Sequence, residues 1–335
     1  MLRIAGVLVL LIGIYVALWI AHPNGWSESN LVDVTNRQGL LGVITLGVAV
    51  LIITGAIDLS IGSVVGFSSV AFGMMMTTGI HVAGVHTGPV HPYLAVPLVL
   101  LLGVGIGLLN GILVTRLKLQ SFLVTLCGLF VFRGIARYMS GQDVGLNELK
   151  RTNPHFQDPL NVLEFYLIGK DVDRKLVYPA EMFVFLGLAV VVGVVLHKSV
   201  IGRYWYAIGY NESAARYSGI ATDRHRLIGF VLSSTLASLC GVMSFLDISS
   251  ASPTLTGQNL ELYAITGAVL GGCSLKGGEG TIVGIVLGAM VLPVLANLLN
   301  FVGIPDAVIP IVIGMTLLFG TIADEFFRRR SAVRK

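Results

Sequence analysis

The sequence predicts an all-α membrane protein: a polytopic bundle of about ten transmembrane helices forming a single domain over residues 1–335. Three observations carry that prediction. Hydrophobic residues make up 55% of the 335-residue chain and charged residues only 12%, with a mean hydropathy of +0.85. Uncharged apolar runs such as 4–20, 93–115 and 182–196 recur along the chain, and about 20 mainly apolar residues are what a helix needs to cross a hydrocarbon core roughly 30 Å thick. These runs do not alternate apolar and polar residues as barrel strands do, which leaves helices to satisfy the backbone inside lipid.

Taken in order, the apolar segments are 4–21, 39–56, 62–79, 93–115, 121–139, 181–197, 227–247, 260–272, 281–300 and 307–321. The first follows Met1-Leu2-Arg3 and leads into His22-Pro23-Asn24-Gly25 rather than a small-residue cleavage site, so it reads as a retained span. Segment 260–272 is too short to span alone at 1.5 Å per residue. With the N-terminus inside, the inner connections carry fourteen Lys and Arg and the outer ones six, which predicts both termini in the cytoplasm. The connection 140–180 mixes Asp143, Glu148, Asp158, Glu164, Asp171 and Asp173 with basic residues and Pro154 and Pro159. It reads as an external polar insertion, either a small cap with a strand or short helix over 160–168 or a solvated loop. Gly62-Ser63-Val64-Val65-Gly66 echoes Gly280-Thr281-Ile282-Val283-Gly284 six spans later. That echo is either an internal duplication, as transporters with broken helices often carry, or coincidence in a chain with 41 glycines.

Several function classes are excluded. Cys127, Cys240 and Cys273 lie in or beside apolar segments without a C-x-x-C pair, so they act as small apolar residues rather than a disulfide framework. The net charge of +4 sits mostly in the tail 328–335, where a cytoplasmic flank carries it; it is not a nucleic-acid signal. His81, His86 and His91 share one loop without acidic or Cys partners and read as solvated residues, not metal ligands. No phosphate-binding loop, Ser–His–Asp set or zinc-protease motif is present. The chain therefore has no catalytic residues, no metal site and no bound cofactor of its own by this reading.

The residues that can carry chemistry are few. Asp58 and Ser60 lie in Gly55-Ala56-Ile57-Asp58-Leu59-Ser60-Ile61-Gly62, between two apolar segments too close for an ordinary loop. An acid at membrane depth is a functional candidate; the structural alternative is that Asp58 and Ser60 cap the helix that starts near Ile61. Asn110 lies among Gly103, Gly107 and Gly111, a small-residue spacing that lets helices approach closely, so it either lines a path or bonds a neighbouring helix. Gly284 and Gly288, with Asn297 and Asn300 beyond them, repeat that pattern. Asp247 and Glu261 complete the short set of acids near spans. In the cytoplasmic segment 198–226, Asn211 caps a short helix through Tyr217 that ends at Gly219. That helix either rests on lipid or docks on a partner, with Tyr204, Trp205 and Tyr206 just before it.

Residues 202–220 resemble the G-R-x-x-Y-A-I-G-x-N-x-x-A-A-R-x-S-G-I segment of permease subunits in bacterial ABC importers of the ribose, xylose, arabinose and galactose type. Residues 55–62 are similar to that family's G-G-I-D-L-S-V-G. Residues 107–118 are similar to its G-x-x-N-G-x-L-x-x-x-x-K, and Phe122-Leu123-Val124-Thr125-Leu126 and Phe132-Arg133-Gly134 to the stretch just beyond that motif. Residues 261–280 are similar to E-L-D-A-I-A-A-V-x-x-G-G-T-S-L-x-G-G-x-G. Ala56 replaces the second Gly, Tyr263 an Asp and Cys273 a Thr, and the 140–180 connection is long for the family. The resemblance implies a multi-pass permease of the bacterial plasma membrane that imports a monosaccharide or similar small polar solute. It implies three partners besides lipid: a cytoplasmic ATPase subunit that uses the ATP, a second permease chain, and an extracytoplasmic solute-binding protein. It implies Asp58, Ser60, Asn110 and Glu261 beside the path. It also implies a coupling element built from Tyr204, Tyr206, Gly209, Asn211, Glu212, Ala214, Ala215 and Gly219. Without the resemblance, an ion-coupled secondary transporter and a membrane enzyme acting on lipid-linked sugars stay open.

Overall fold

Helices carry the fold in the computed structural model, which describes residues 2–316, 318 and 322 apart from 80, 83–84, 147–148, 150, 152 and 174. The basic tail 328–335, Glu148, Lys150, Arg174 and the end of segment 307–321 lie outside the described residues. In chain order the helices are α1 (Leu2–Ala21), α2 (Glu28–Ile53), α3 (Ile61–Thr77), α4 (Pro92–Thr115), α5 (Ser121–Ser140), α6 (Gln157–Ile168), α7 (Ala180–Lys198), α8 (Val200–Tyr210), α9 (Glu212–Tyr217), α10 (Thr222–Ile248), α11 (Leu260–Leu270) and α12 (Ile282–Phe301). Among the described residues, seven helices are long and apolar enough to cross a membrane: α1, α2, α4, α5, α7, α10 and α12. These account for seven of the about ten expected segments; the shorter apolar helices α3 and α11 lie at two of the others. Helix α3 has 17 residues and α11 only 11, because Gly-rich turns interrupt the chain beside each of them.

Helix α2 is the axis of the bundle and packs on α7, α10, α11 and α12. It begins at Glu28, well before the apolar run at 39. Glu28, Ser29 and Arg37 of its polar first turns are exposed, but its inward amides find partners. Asn30 and Asn297 exchange amide hydrogen bonds of 3.2 and 2.9 Å. Asn36 donates to Ile168 O at 3.0 Å and accepts from Glu181 N at 2.9 Å. Gln38 donates to the Tyr15 hydroxyl at 3.0 Å and to Met290 O at 3.1 Å. Buried amides that are bonded are tolerated where orphaned ones cost 1–3 kcal/mol or so each, so an apolarity scan finds only part of this helix.

Small residues set the close crossings. A methyl group on Gly107 would lie 2.5 Å from Val231 Cα, and one on Gly103 2.4 Å from Ser238 Oγ, so the stripe on α4 is the face that meets α10. On the other side of α2, a methyl on Gly284 would lie 2.0 Å from Gly271 O and one on Gly288 2.1 Å from Gly267 O; α11 and α12 touch through backbone. Helix α1 is peripheral. Val7, Leu11 and Ile14 pack on Val291 and Val294 of α12, while Val9, Trp19 and Ile20 stay exposed.

The polar insertion is a packed cap, not a solvated loop. Strand β1 (Val144–Gly145) pairs antiparallel with β2 (Ser250–Ala251) at the end of α10. Helix α6 turns Leu160, Glu164 and Ile168 inward, all fully buried, and Lys170 pairs with Asp247 at 2.8 Å. At the opposite end of the bundle, the connections 54–60, 116–120, 199–221 and 271–281 meet.

Candidate functional site

Helix α2 ends at Ile53, and Gly55 turns the chain with φ +77, a conformation open to glycine at little cost. Asp58 Oδ1 then accepts hydrogen bonds from Ser60 N at 2.8 Å and from Ser60 Oγ at 2.6 Å. Ser60 Oγ accepts from Asn110 Nδ2 of α4 at 3.2 Å, and Ser63 Oγ donates to Ser60 O at 2.6 Å. The expected cap on α3 is therefore corrected. Ser60 occupies the cap position with helical backbone angles and makes no side-chain cap bond. An N-cap side chain reaches the free N–H groups from an extended backbone, so here Oγ turns to the carboxylate, and Asp58 closes a turn onto the residue two ahead. Asp58, Ser60 and Asn110 are all buried.

The fourth predicted residue, Glu261, sits in the first turn of α11 against the first turn of α3. A methyl on Gly62 would lie 2.0 Å from Glu261 Oε2. Beside it stands Arg133 of α5, which the sequence marks only through the family-like stretch Phe132-Arg133-Gly134. Its Nη1 donates to Thr256 O at 2.5 Å and Thr254 O at 3.4 Å, and its charge faces Glu261. A signal for it exists in the sequence: an arginine near membrane depth is costly unless it serves a path or a pair. The fold thus brings the four predicted residues around the start of α3, with three in one buried chain of hydrogen bonds and Glu261 with Arg133 at its edge.

The second cluster is an elbow formed by α8 and α9. Sequence reasoning leaves 198–210 as connection, but Tyr204, Trp205 and Tyr206 lie in helix α8. Its start is capped by Ser199 Oγ, which accepts from Gly202 N at 3.2 Å. Asn211 Oδ1 accepts from Ala214 N at 2.9 Å and starts α9; Gly219 closes it with φ +82. Trp205 is buried and donates to His225 O at 2.8 Å. Tyr210, Ala214 and Tyr217 are exposed, whereas Ala215 is buried within the chain. Of the two alanines of the expected coupling element, only Ala214 is open to a partner.

The elbow is tied to both helix breaks. Gly278 N donates to Ile53 O at 2.9 Å, so the turn before α12 rests on the end of α2. Gly209 fits between them: a methyl there would lie 1.9 Å from Ile53 O and 2.4 Å from Gly278 N. Tyr206 Oη donates to Gly280 O at 2.8 Å, and burial pushes this hydroxyl up to about 12, so it remains a donor at any physiological pH. Arg226 joins Glu212 at 2.9 Å to Thr54 O at 3.3 Å. Exposed pairs Lys118–Asp223 and Arg216–Glu212 add little, as surface ion pairs are worth about 0–1 kcal/mol each. Among the described residues no group of His, Cys, Asp or Glu has the makings of a metal site, and His91 uses Nδ1 to accept from Tyr93 N at 3.4 Å.

Comparison with known proteins agrees with this architecture. The family described as "Branched-chain amino acid transport system / permease component" matches residues 30–320. The chain is 32% identical over 304 residues to the ribose import permease protein RbsC of Escherichia coli K12, covering 90% of this chain and 88% of that protein. It is 35% identical over 335 residues to a probable ABC transporter permease protein, y4mJ, of Sinorhizobium fredii, covering 99% and 91%. It is 29% identical over 334 residues to the autoinducer 2 import system permease protein LsrC of Yersinia enterocolitica, covering 98% and 83%. No solved structure matches the chain. With the family covering most of its length and the apolar helices to match, the chain belongs to this family of transport-system permease components: it is a multi-pass inner-membrane transport subunit rather than an enzyme.

Proposed function

We propose that this permease serves an ATP-binding cassette importer and carries a monosaccharide or similar small polar solute into the cytoplasm. The relatives named for ribose and autoinducer 2 import support that solute class. The single observation that carries the mechanism is the elbow, tied through Gly209, Tyr206 and Arg226 to the end of α2 and to the turn before α12. An ATPase subunit that binds and hydrolyses ATP in the cytoplasm grips Tyr210, Ala214 and Tyr217. Its closure moves α9, and the rigid link carries the motion to both helix breaks. The bundle then changes the side to which its path opens, a rigid-body form of alternating access.

Half of the residues of α5 are exposed, and that surface carries Arg137 and part of Arg133. Two arginines on one span fit poorly in hydrocarbon. A second permease chain covers this face in our reading, and the solute passes between the chains beside Arg133 and Glu261. Asp58, Ser60 and Asn110 stand behind the path as a brace. A solute-binding protein delivers the cargo outside. Both termini are cytoplasmic, and α3, α11 and segment 307–321 bring the seven long helices to ten passes. The family assignment favours neither an ion-coupled carrier nor an enzyme acting on lipid-linked sugars.

The test contrasts two neighbours. Ala214→Glu adds bulk and charge to an exposed docking face, where desolvating an ion often costs several kcal/mol. It should reach normal membrane levels, lose the ATPase subunit in pull-down and lose ATP-driven uptake. Ala215→Glu buries that charge inside the elbow and should lower the membrane level itself. Full uptake by Ala214→Glu would remove α9 from the mechanism.

A further inference from the structure

Helix α6 of the insertion is apolar on two opposite faces. One face, Leu160 and Ile168 with Glu164 between them, is fully buried in the bundle. The other shows Val162 at 43%, Phe165 at 40% and Tyr166 at 68% exposure. A helix apolar all round belongs in a setting that covers both sides, and contiguous exposed apolar surface marks an interaction site.

The outward face does not stop at α6. The Phe165 ring lies 5.3 Å from Tyr166 and 5.3 Å from Tyr178, and Tyr178 lies 6.3 Å from Phe183 in the first turn of α7. Tyr178 Oη donates to Phe165 O at 2.7 Å, which fixes the ladder. From Phe183 the exposed stripe continues through Leu186, Val190 and Val194, one side of a helix long and apolar enough to span. Val172 and Val177 widen the patch near α6. Its polar limits are Asp158 at the start of α6 and Asp173 and Lys175 at the tip of the following turn, all exposed.

We infer that the outward face of the insertion lies in the membrane interface, where Phe165, Tyr166, Tyr178 and Phe183 form an aromatic anchor continuous with the lipid-facing side of α7. Aromatic rings with one polar edge gather at the headgroup level, and a short helix lying in the interface buries its apolar side about 5–10 Å deep. The cap is thereby held from both sides, by the bundle on the Leu160 face and by lipid on the Tyr166 face. This inference requires that α7 spans a bilayer; it does not depend on the solute or on the coupling mechanism.

A nitroxide label at Tyr166→Cys, in a Cys127→Ser background and in nanodiscs, tests it by collision with oxygen against a water-soluble nickel chelate. Cys240 and Cys273 are buried, and the Cys127→Ser chain alone sets the background. Labels at Asp158→Cys and Val190→Cys give the aqueous and membrane references. The expected oxygen-to-nickel ratio at 166 lies between the two references and at least threefold above that at 158. Val162→Cys, on the same face, should give the same ordering if the Tyr166 variant folds poorly. A ratio at 166 equal to that at 158 would place the face in water and overturn the inference. Exclusion of both colliders would show a protein chain covering it, with the same consequence.

Discussion

The two helix breaks differ in what holds them. The turn after α2 is braced by side chains: Asp58 bonds twice to Ser60, and Ser60 bonds to Asn110 across on α4. The turn before α12 is braced by backbone: Gly271 meets Gly284, Gly267 meets Gly288, and Gly278 N bonds to Ile53 O. Their helix starts differ as well. Thr281 has an extended backbone and caps α12 by accepting from Gly284 N at 3.2 Å, the geometry Ser60 lacks. The five-residue echo between 62–66 and 280–284 also falls out of register, since α3 starts one residue before Gly62 and α12 two residues after Gly280. Similar glycine patterns thus build two differently held joints. One is a polar lock that a single buried carboxylate closes, and the other is a close contact between backbones.

The comparison breaks most severely where the joints meet. Gly209 of α8 touches Ile53 O and Gly278 N together, and a methyl there overlaps both. Neither neighbour is a flexible side-chain end, so the chain must shift. Overpacking of this kind costs about 1–3 kcal/mol, and here it pushes apart the two breaks and the elbow. Gly209→Ala should reach the membrane yet lose tenfold or more in ATP-driven uptake. Uptake near that of the unaltered chain, at equal membrane level, would mean the three elements do not move as one.

What the sequence reveals about these joints depends on the range of the interactions. The elbow's short helix is legible because a cap and a glycine stop are local features: Asn211 and Gly219 stand where expected. The glycine stripe on α4 is legible from its spacing, although only the fold shows that Ser234, Ser238 and Val231 of α10 fill it. Helix α8 escapes sequence reasoning because 11 residues carry no span signal and its aromatics read equally well as loop. The polar start of α2 escapes it because the partners of its amides lie on α1, α7, α12 and Ile168, all remote in sequence. Asp58 and Ser60 stand out in the sequence, but Ser60 makes no side-chain cap bond and turns its hydroxyl to Asp58 instead. Residue type and spacing allow a cap, and backbone angles decide against it. Gly209 carries no signal of its tight packing, since its importance lies in a carbonyl and an amide group from other parts of the chain.

A smaller effect separates charge from shape at the first break. Asp58→Ala strips an acceptor from Ser60 N and Ser60 Oγ, both buried. Leaving buried donors unpaired costs about 1–3 kcal/mol, so thermal unfolding in nanodiscs should fall by several degrees. Asp58→Asn keeps one side-chain oxygen for the same turn and should lose less than half as much. Equal losses for the two variants would mean that the charge itself, not the turn, is what the break requires.

The finest distinction lies between Ser60 and Thr281, two hydroxyls that occupy matching cap positions and do different work. Thr281→Ala removes one helix cap, worth typically ~1 kcal/mol, and its effect should stay within α12. Ser60→Ala removes the group that joins Asp58 to Asn110, leaving a buried carboxylate with one fewer donor and a buried amide with none from this residue. Its loss should therefore exceed that of Thr281→Ala. A double-mutant cycle locates the difference. Ser60→Ala and Asn110→Leu share one hydrogen bond, so their stability losses should fall short of additivity by roughly 0.5–3 kcal/mol, as contacting residues do. Thr281→Ala and Asn110→Leu touch different joints and should add within about 0.5 kcal/mol, as distant sites do. Additivity in both pairs would mean the polar lock contributes nothing as a unit, and the two breaks would then differ in appearance only.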